Sequence, residues 1–199
     1  MSVAVAKKEE EVKASIPNNL IYEVVKGKPI YYRGYKDVLN GTKTIEEIKM
    51  ESKLQSWLKA QITGTLFVLL QNLPYEVFTG ELGLNLPHKT KRGADLAIYK
   101  SEAVEIDEFF ANVPPEVVIE IDVAIDTEKQ TEMDYVHAKI DDYLNFGVKQ
   151  VIWIFTKNQK VIVADNTTTW LTSNWDKDLT LPQAISFNLS DIMRSRKVS

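Results

Sequence analysis

The chain has no cysteine. That excludes a disulfide framework and thiolate chemistry, and the location expected from such usage is the cytoplasm. Histidine is nearly as scarce: His88 and His137 are the only two, without paired ligand spacing, so a histidine-held zinc site is not expected. Glycine is sparse at 8 of 199 residues, and no Gly-rich phosphate cradle occurs. GTKT at 41–44 lacks the upstream glycine of a P-loop, and no Gly-x-Ser-x-Gly elbow serves an acyl hydrolase. No apolar run approaches the ~20 residues that span a bilayer. The densest, LFVLL at 66–70, lies inside an amphipathic pattern, and MSVAVAKKEEEVKAS at the start lacks the apolar core of a secretory signal. Neither a membrane partner nor export is expected. Basic residues are not in excess, 24 against 28 acidic ones, for a net charge of −4. A dedicated nucleic-acid reader is usually basic, because phosphate contacts dominate its affinity. A nuclease needs only a local basic surface, however, and a metal site adds acids.

What is present is ordinary globular material, 44% hydrophobic and 26% charged. Residues 1–17 alternate Lys and Glu with few large apolar side chains and read as a flexible tail. Residues 18–199 then suffice for one domain. Two strand-like runs flank Lys26-Gly27-Lys28, a hairpin signal. From 44 to 72 the apolar spacing becomes helical through Leu54, Leu58, Ile62 and Leu66, predicting one long helix or two abutting ones. YEVFTG at 75–80 and LGLNL at 82–86 read as a β pair. A basic loop, PHKTKRG at 87–93, then leads into a short strand, ADLAIYK. A strand over 116–124 follows. Next comes a helix with Met133, Val136, Ile140 and Tyr143 on one stripe, stopping at Phe146-Gly147, and then the apolar strand VKQVIWIF. This strand–helix–strand unit predicts a parallel, right-handed crossover. VIVADN, TTTWLT and AISFNL close the chain as short strands. The class expected is α/β (α+β), a mixed sheet flanked by helices.

The stretch PPEVVIEIDVAI, 114–125, places two carboxylates in the most hydrophobic strand. Alternation puts Val117, Ile119 and Ile121 on one face and Glu120 with Asp122 on the other, near the strand's C-terminal end. Adjacent carboxylates repel, and a bound cation reverses that. The plainer alternative is a solvated face at a sheet edge. Asp95 stands two elements earlier, in KRGADLAIYK, where a neighbouring strand could bring it to Glu120. An Asp after Gly is otherwise turn chemistry. Such an oxygen-rich set suits Mg²⁺ or Mn²⁺. Lys139 falls on the flank of the helix stripe. It reads singly as a snorkelling side chain, and beside acids as a group that orients water or neutralises charge.

The ordered set Asp95, then Glu120-Ile121-Asp122, resembles the PD-(D/E)XK nuclease superfamily with a migrated lysine. More closely, the chain resembles a bacterial family of restriction endonuclease-like proteins of unknown function, abundant in cyanobacteria. The likeness rests on the hairpin YEVVKGK, Asp95-Leu96, PPEVVIEI, the helix residues Asp134, Lys139, Tyr143 with Gly147-Val148, and VIWIF. It spans roughly residues 20–190. It implies a restriction-endonuclease-like fold and metal-dependent hydrolysis of phosphodiester bonds, of DNA above all. Asp95, Glu120 and Lys139 would be catalytic, with Asp95, Glu120 and Asp122 holding Mg²⁺ or Mn²⁺. Lys89, Lys91 and Arg92 would clamp flanking phosphates, unless they form only a solvated basic turn. Many relatives carry an outer acid on the first long helix, where Glu47 and Glu51 stand, though helix solvation explains both. Two features depart from the pattern: Asp122 occupies the superfamily's usual lysine position, and relatives often have an apolar residue there. The rival readings are a degenerate nuclease-like interaction module and a hydrolase of small phosphate esters. An exposed edge at Thr167, Thr168, Thr169 and Trp170 could pair two copies in a homodimer.

Overall fold

The computed structural model describes residues 16–126, 131–167 and 169–195. Residues 1–15 of the expected tail and Thr168 of the expected pairing edge lie outside them. An eight-stranded mixed sheet forms the centre. The first hairpin, β1 (Ile21–Val25) and β2 (Lys28–Tyr31), turns at Gly27 with φ 76°. Two short helices follow, α1 (Tyr35–Leu39) and α2 (Ile45–Lys49), then the long α3 (Lys53–Leu70). The helical pattern over 44–72 is thus two abutting helices. Each has its own capping box, Thr44 with Glu47 and Ser52 with Gln55, and Glu51 lies between them.

The region expected to be two strands is a single one, β3 (Tyr75–Leu86), interrupted by a bulge between Thr79 and Leu82. Gly80 and Glu81 both take left-handed backbone there, with φ 92° and 62°. The expected basic loop is likewise mostly strand. β4 (Thr90–Lys100) pairs with β3 along its length, leaving only a tight turn at Pro87, His88 and Lys89.

β5 (Val117–Ile121) is buried at all five positions. It pairs antiparallel with β4 and parallel with β6 (Gln150–Phe155), with α4 (Glu132–Phe146) as the crossover. Thr131 and Asp134 form the capping box of α4, and Gly147 ends it in left-handed conformation at φ 117°. β7 (Lys160–Asp165) and β8 (Leu171–Asn174) complete the sheet, whose order is β2-β1-β4-β5-β6-β7-β8 with β3 also paired to β4, so β8 lies at one end and β2 at the other. A small ladder of β9 (Leu179–Thr180) and β10 (Ser186–Phe187) leads to α5 (Leu189–Arg194).

Two cores follow from the alternation along β5. Val117, Ile119 and Ile121 face Leu58, Ile62 and Leu66 of α3, together with Trp175, Phe187 and Ile192 near the C-terminus. Val118 faces Val136, Ile140 and Tyr143 of α4, with Trp153 and Ala164. Each such aliphatic side chain, fully buried, contributes about 1.5–3 kcal/mol relative to exposure. Glu120 therefore points into the α4 side of a packed sheet. Among the described residues no helix is long and apolar enough to cross a membrane.

Candidate active site at a fork in the sheet

β4 has β3 on one side, while its other side is shared between two strands. β1 meets it at Lys91, and β5 meets it from Leu96 to Ile98. Asp95 sits where one neighbour has left and the next begins. The register Leu96↔Ile119 places it opposite Glu120 at the following step. Its Oδ2 accepts from the Ile121 amide at 2.7 Å. Its Oδ1 lies 2.8 Å from Lys59 Nζ, and the same ammonium meets the Glu51 carboxylate. Glu81 arrives from the bulge of β3. Oxygens of Glu51, Glu81 and Asp95 all lie within 4.8 Å of one another. Burial, then the neighbouring Asp95 charge, pushes the Glu81 carboxyl up, partly offset by Lys59. A left-handed non-glycine residue stores strain, commonly about 1–3 kcal/mol, and such strain gathers at working sites.

Behind this open cluster lies a closed one. Lys139 is wholly buried, with Nζ 2.9 Å from Glu23 Oε1 and 3.1 Å from Glu120 Oε1. Both contacts lie off the axis of a good hydrogen bond, and the rings of Tyr22, Tyr135, Tyr143 and Trp153 surround the ammonium at 5.6–5.8 Å. Arg92 donates to Glu23 Oε2 at 2.6 Å and to Asp142 Oδ2, and the Tyr135 hydroxyl donates to Glu23 Oε2 at 2.7 Å. Three acids and two cations leave this network one negative charge in excess. Burial pushes the Glu120 carboxyl up to about 8, against Lys139, which lowers it. The Tyr143 hydroxyl lies 2.6 Å from Glu120 Oε1 and 2.7 Å from the Gly93 carbonyl. One hydroxyl hydrogen faces two acceptors, a further reason for Glu120 to hold its proton.

Asp95, Glu120, Lys139 and Asp122 all line one cavity, together with Glu51 and Glu81. Around this site the structure departs from the sequence expectations in three places. Asp122 is not on the face of Glu120, because β5 ends at Ile121 and Asp122 turns away with φ 60°. Its two carboxylate oxygens accept from the Thr156 amide at 2.8 Å and the Thr156 hydroxyl at 2.7 Å. Lys139 is not on the flank of the helix stripe. It occupies the stripe's centre with Tyr135, Val136, Ile140 and Tyr143, closed off from water. Arg92 is 3% exposed and spent on Glu23 and Asp142, so it offers no surface charge to a phosphate. Lys89 and Lys91 are exposed.

Three residues went unread in the sequence. In the sequence Lys59 is one of several lysines in a helical pattern, and Glu23 is one acid in a hairpin strand. Glu81 fell between two presumed strands, where TGELG carried the only signal of a bulge. The cluster of Glu51, Glu81 and Asp95 offers only hard oxygen donors and is open to water on the Glu51 and Glu81 side. That donor set fits Mg²⁺ or Mn²⁺, which keep water among their ligands.

A mixed sheet with helices on both faces and acids gathered at a strand fork defines a domain of the restriction-endonuclease-like class. The family model described as "Uma2: Putative restriction endonuclease" matches residues 40–190, and the chain belongs to that family. The fold is similar to one crystal structure in particular, that of "a putative nuclease belonging to DUF820" from Anabaena variabilis ATCC 29413. The TM-score is 0.65 at 15% identity, over 93% of this chain and 96% of that one. No curated protein matches significantly.

Proposed function

We propose that this protein is a metal-dependent endonuclease that hydrolyses phosphodiester bonds of nucleic acid, DNA before RNA. The observation that carries the reading is the convergence of Glu51, Glu81 and Asp95 within 4.8 Å beside Glu120, in a chain of the Uma2 family.

Asp95, held in place by the Ile121 amide, would hold Mg²⁺ or Mn²⁺ together with Glu51 and Glu81, and Glu120 lines the same cavity. When bound, such an ion polarises the phosphate and lowers the pKa of water. Lys139 is a positioning residue: it touches Glu120 and Glu23 and fixes where the Glu120 carboxyl stands. Lys91 lies four residues before Asp95, or ~13 Å along the extended strand, and Lys89 stands in the turn just beyond the start of that strand. Phosphates of one DNA strand recur every ~3.4 Å of helix axis, so these lysines suit phosphates several nucleotides from the cut. Two copies joined along the edge expected at Thr167, Thr169 and Trp170, which leads into β8, would present two such sites to one duplex.

The test is cleavage of plasmid and single-stranded DNA with Mn²⁺ by the wild type, Asp95→Ala and Glu81→Ala. The expected result is nicking by the wild type alone. Equal cutting by Asp95→Ala would overturn the assignment. If no substrate is cut and Mn²⁺ does not raise Tm, the domain is an interaction module instead.

A further inference from the structure

Lys59 lies on the buried stripe of α3 between Leu58 and Ile62, and is itself 9% exposed. Its ammonium is not directed to bulk water. It rests 2.8 Å from Asp95 Oδ1 and in contact with Glu51. Those are two of the three carboxylates whose oxygens converge within 4.8 Å. An ammonium and a divalent ion therefore claim the same oxygens, and, being of like charge, they cannot both sit between Asp95 and Glu51 at full strength. Lys139 has no such conflict, since it is enclosed behind Glu120 with Glu23 as its second partner.

We infer that Lys59 is the built-in counter-cation of the acidic cradle: the divalent ion displaces its ammonium from Asp95 and Glu51, and the freed amine then meets the substrate phosphate. The inference rests on the nuclease reading for its second half and on the cradle alone for its first. The exchange is one of cations, with no bond made or broken. A lysine amine on its flexible four-carbon stem can move off Asp95 without moving the helix that carries it. Its way off Asp95 leads past Glu51, which it already touches, toward the mouth of the cavity, where Glu51 and Glu81 are exposed. The exchange also keeps the acids from repelling one another before metal arrives. A lysine that merely pins α3 to β4 would behave otherwise, because its loss would loosen the cradle and weaken metal binding.

Mn²⁺ affinity, read from the paramagnetic resonance of the free ion, separates the two. Lys59→Met should bind Mn²⁺ at least about tenfold more tightly than wild type, because the competitor is gone. Lys59→Arg, which keeps a cation there, should remain near the wild-type value. DNA cleavage by Lys59→Met should fall about a hundredfold or more, the usual loss when a charge-stabilising group is removed. Unchanged or weaker Mn²⁺ binding by Lys59→Met overturns the inference. Tighter binding in Lys59→Met with no cutting by the wild type leaves the exchange standing and sinks the nuclease reading. Unchanged affinity together with wild-type cutting sinks the exchange and leaves the nuclease reading. If Lys59→Met fails to fold, the ¹⁵N signal of the Lys59 ammonium in the wild type decides. It should move on titration with Mg²⁺, and a signal that stays fixed while Mg²⁺ binds refutes the displacement.

Discussion

Lys139 Nζ and Glu23 Oε1 stand 2.9 Å apart with both side chains 1% exposed, joining the crossover helix to the first strand of the sheet. A buried ion pair is weak as a net source of stability, yet removing one partner strands the other and costs about 3–5 kcal/mol. Lys139→Ala takes from the charged Glu23 one of its two cations and from Glu120 its only one, so a cost in this range is expected. In a domain of this size that is a fall in Tm of roughly 10 °C or more. A wild-type melting curve for Lys139→Ala would show that the lysine is not held as described. Loss of cleavage in this variant at a temperature where it is folded would then report on Glu120, which Lys139 holds in place.

The same pair sets a pH dependence. Burial alone would raise the Glu23 carboxyl, but Lys139 and Arg92, with a hydrogen bond from Tyr135, outweigh it and hold the group below its ordinary value of 4.5. The charges facing it are Lys139 and Arg92, and at longer range Glu120. A carboxyl lowered in the folded state stabilises above its unfolded pKa, and that contribution disappears as pH falls through the folded value. Metal-free protein should therefore lose stability steeply below about pH 4.5. Glu23→Gln should start lower at pH 7 and fall less steeply. Urea unfolding at several pH values measures both slopes, and parallel curves would contradict the assignment.

How far the sequence could foresee this follows from the range of each contact. The strand at Val117–Ile121, the helix ending at Gly147 and the apolar strand after it are local patterns, and all were legible. The meeting of Asp95 with Glu120 was legible too, because adjacent strands with acids at matching positions need only pair. Glu81 was not, because a bulge inside a long strand is decided by the partner strand rather than by its own residues. Alternation failed for Asp122 because β5 stops at Ile121, three residues short of the strand expected over 116–124. For Lys139 and Arg92, a lone basic residue defaults to the surface, and only the acids of distant elements explain their burial.

Glu81 carries a further expectation. Its φ of 62° is a conformation glycine adopts freely, so Glu81→Gly relieves backbone strain of the order of 1 kcal/mol. That relief is partly cancelled by the added freedom of the unfolded chain. The variant should melt at or slightly above the wild-type temperature while its Mn²⁺ affinity falls by at least about tenfold. A variant that lost stability and kept its metal would show that Glu81 serves the fold.

The basic residues between positions 89 and 92 divide by exposure, and so should their effects. Lys89 and Lys91 are exposed, and the Lys91 ammonium lies 5.7 Å from the centre of the Phe110 ring. Replacing either with Ala should leave Tm within a degree or so, since surface substitutions of this kind change stability by no more than about 0.5 kcal/mol. If each meets one phosphate, each replacement should weaken DNA binding similarly for all sequences and reduce the salt slope by about 1. Arg92→Ala should do the reverse. It removes the partner of Glu23 and Asp142 and lowers Tm, and any loss of DNA binding should follow the folded fraction. Binding measured across salt concentrations, with Ca²⁺ in place of Mg²⁺ to hold back cleavage, separates the two kinds of residue. A salt slope that fell for Arg92→Ala but not for Lys89→Ala or Lys91→Ala would place the DNA on the other face of the sheet.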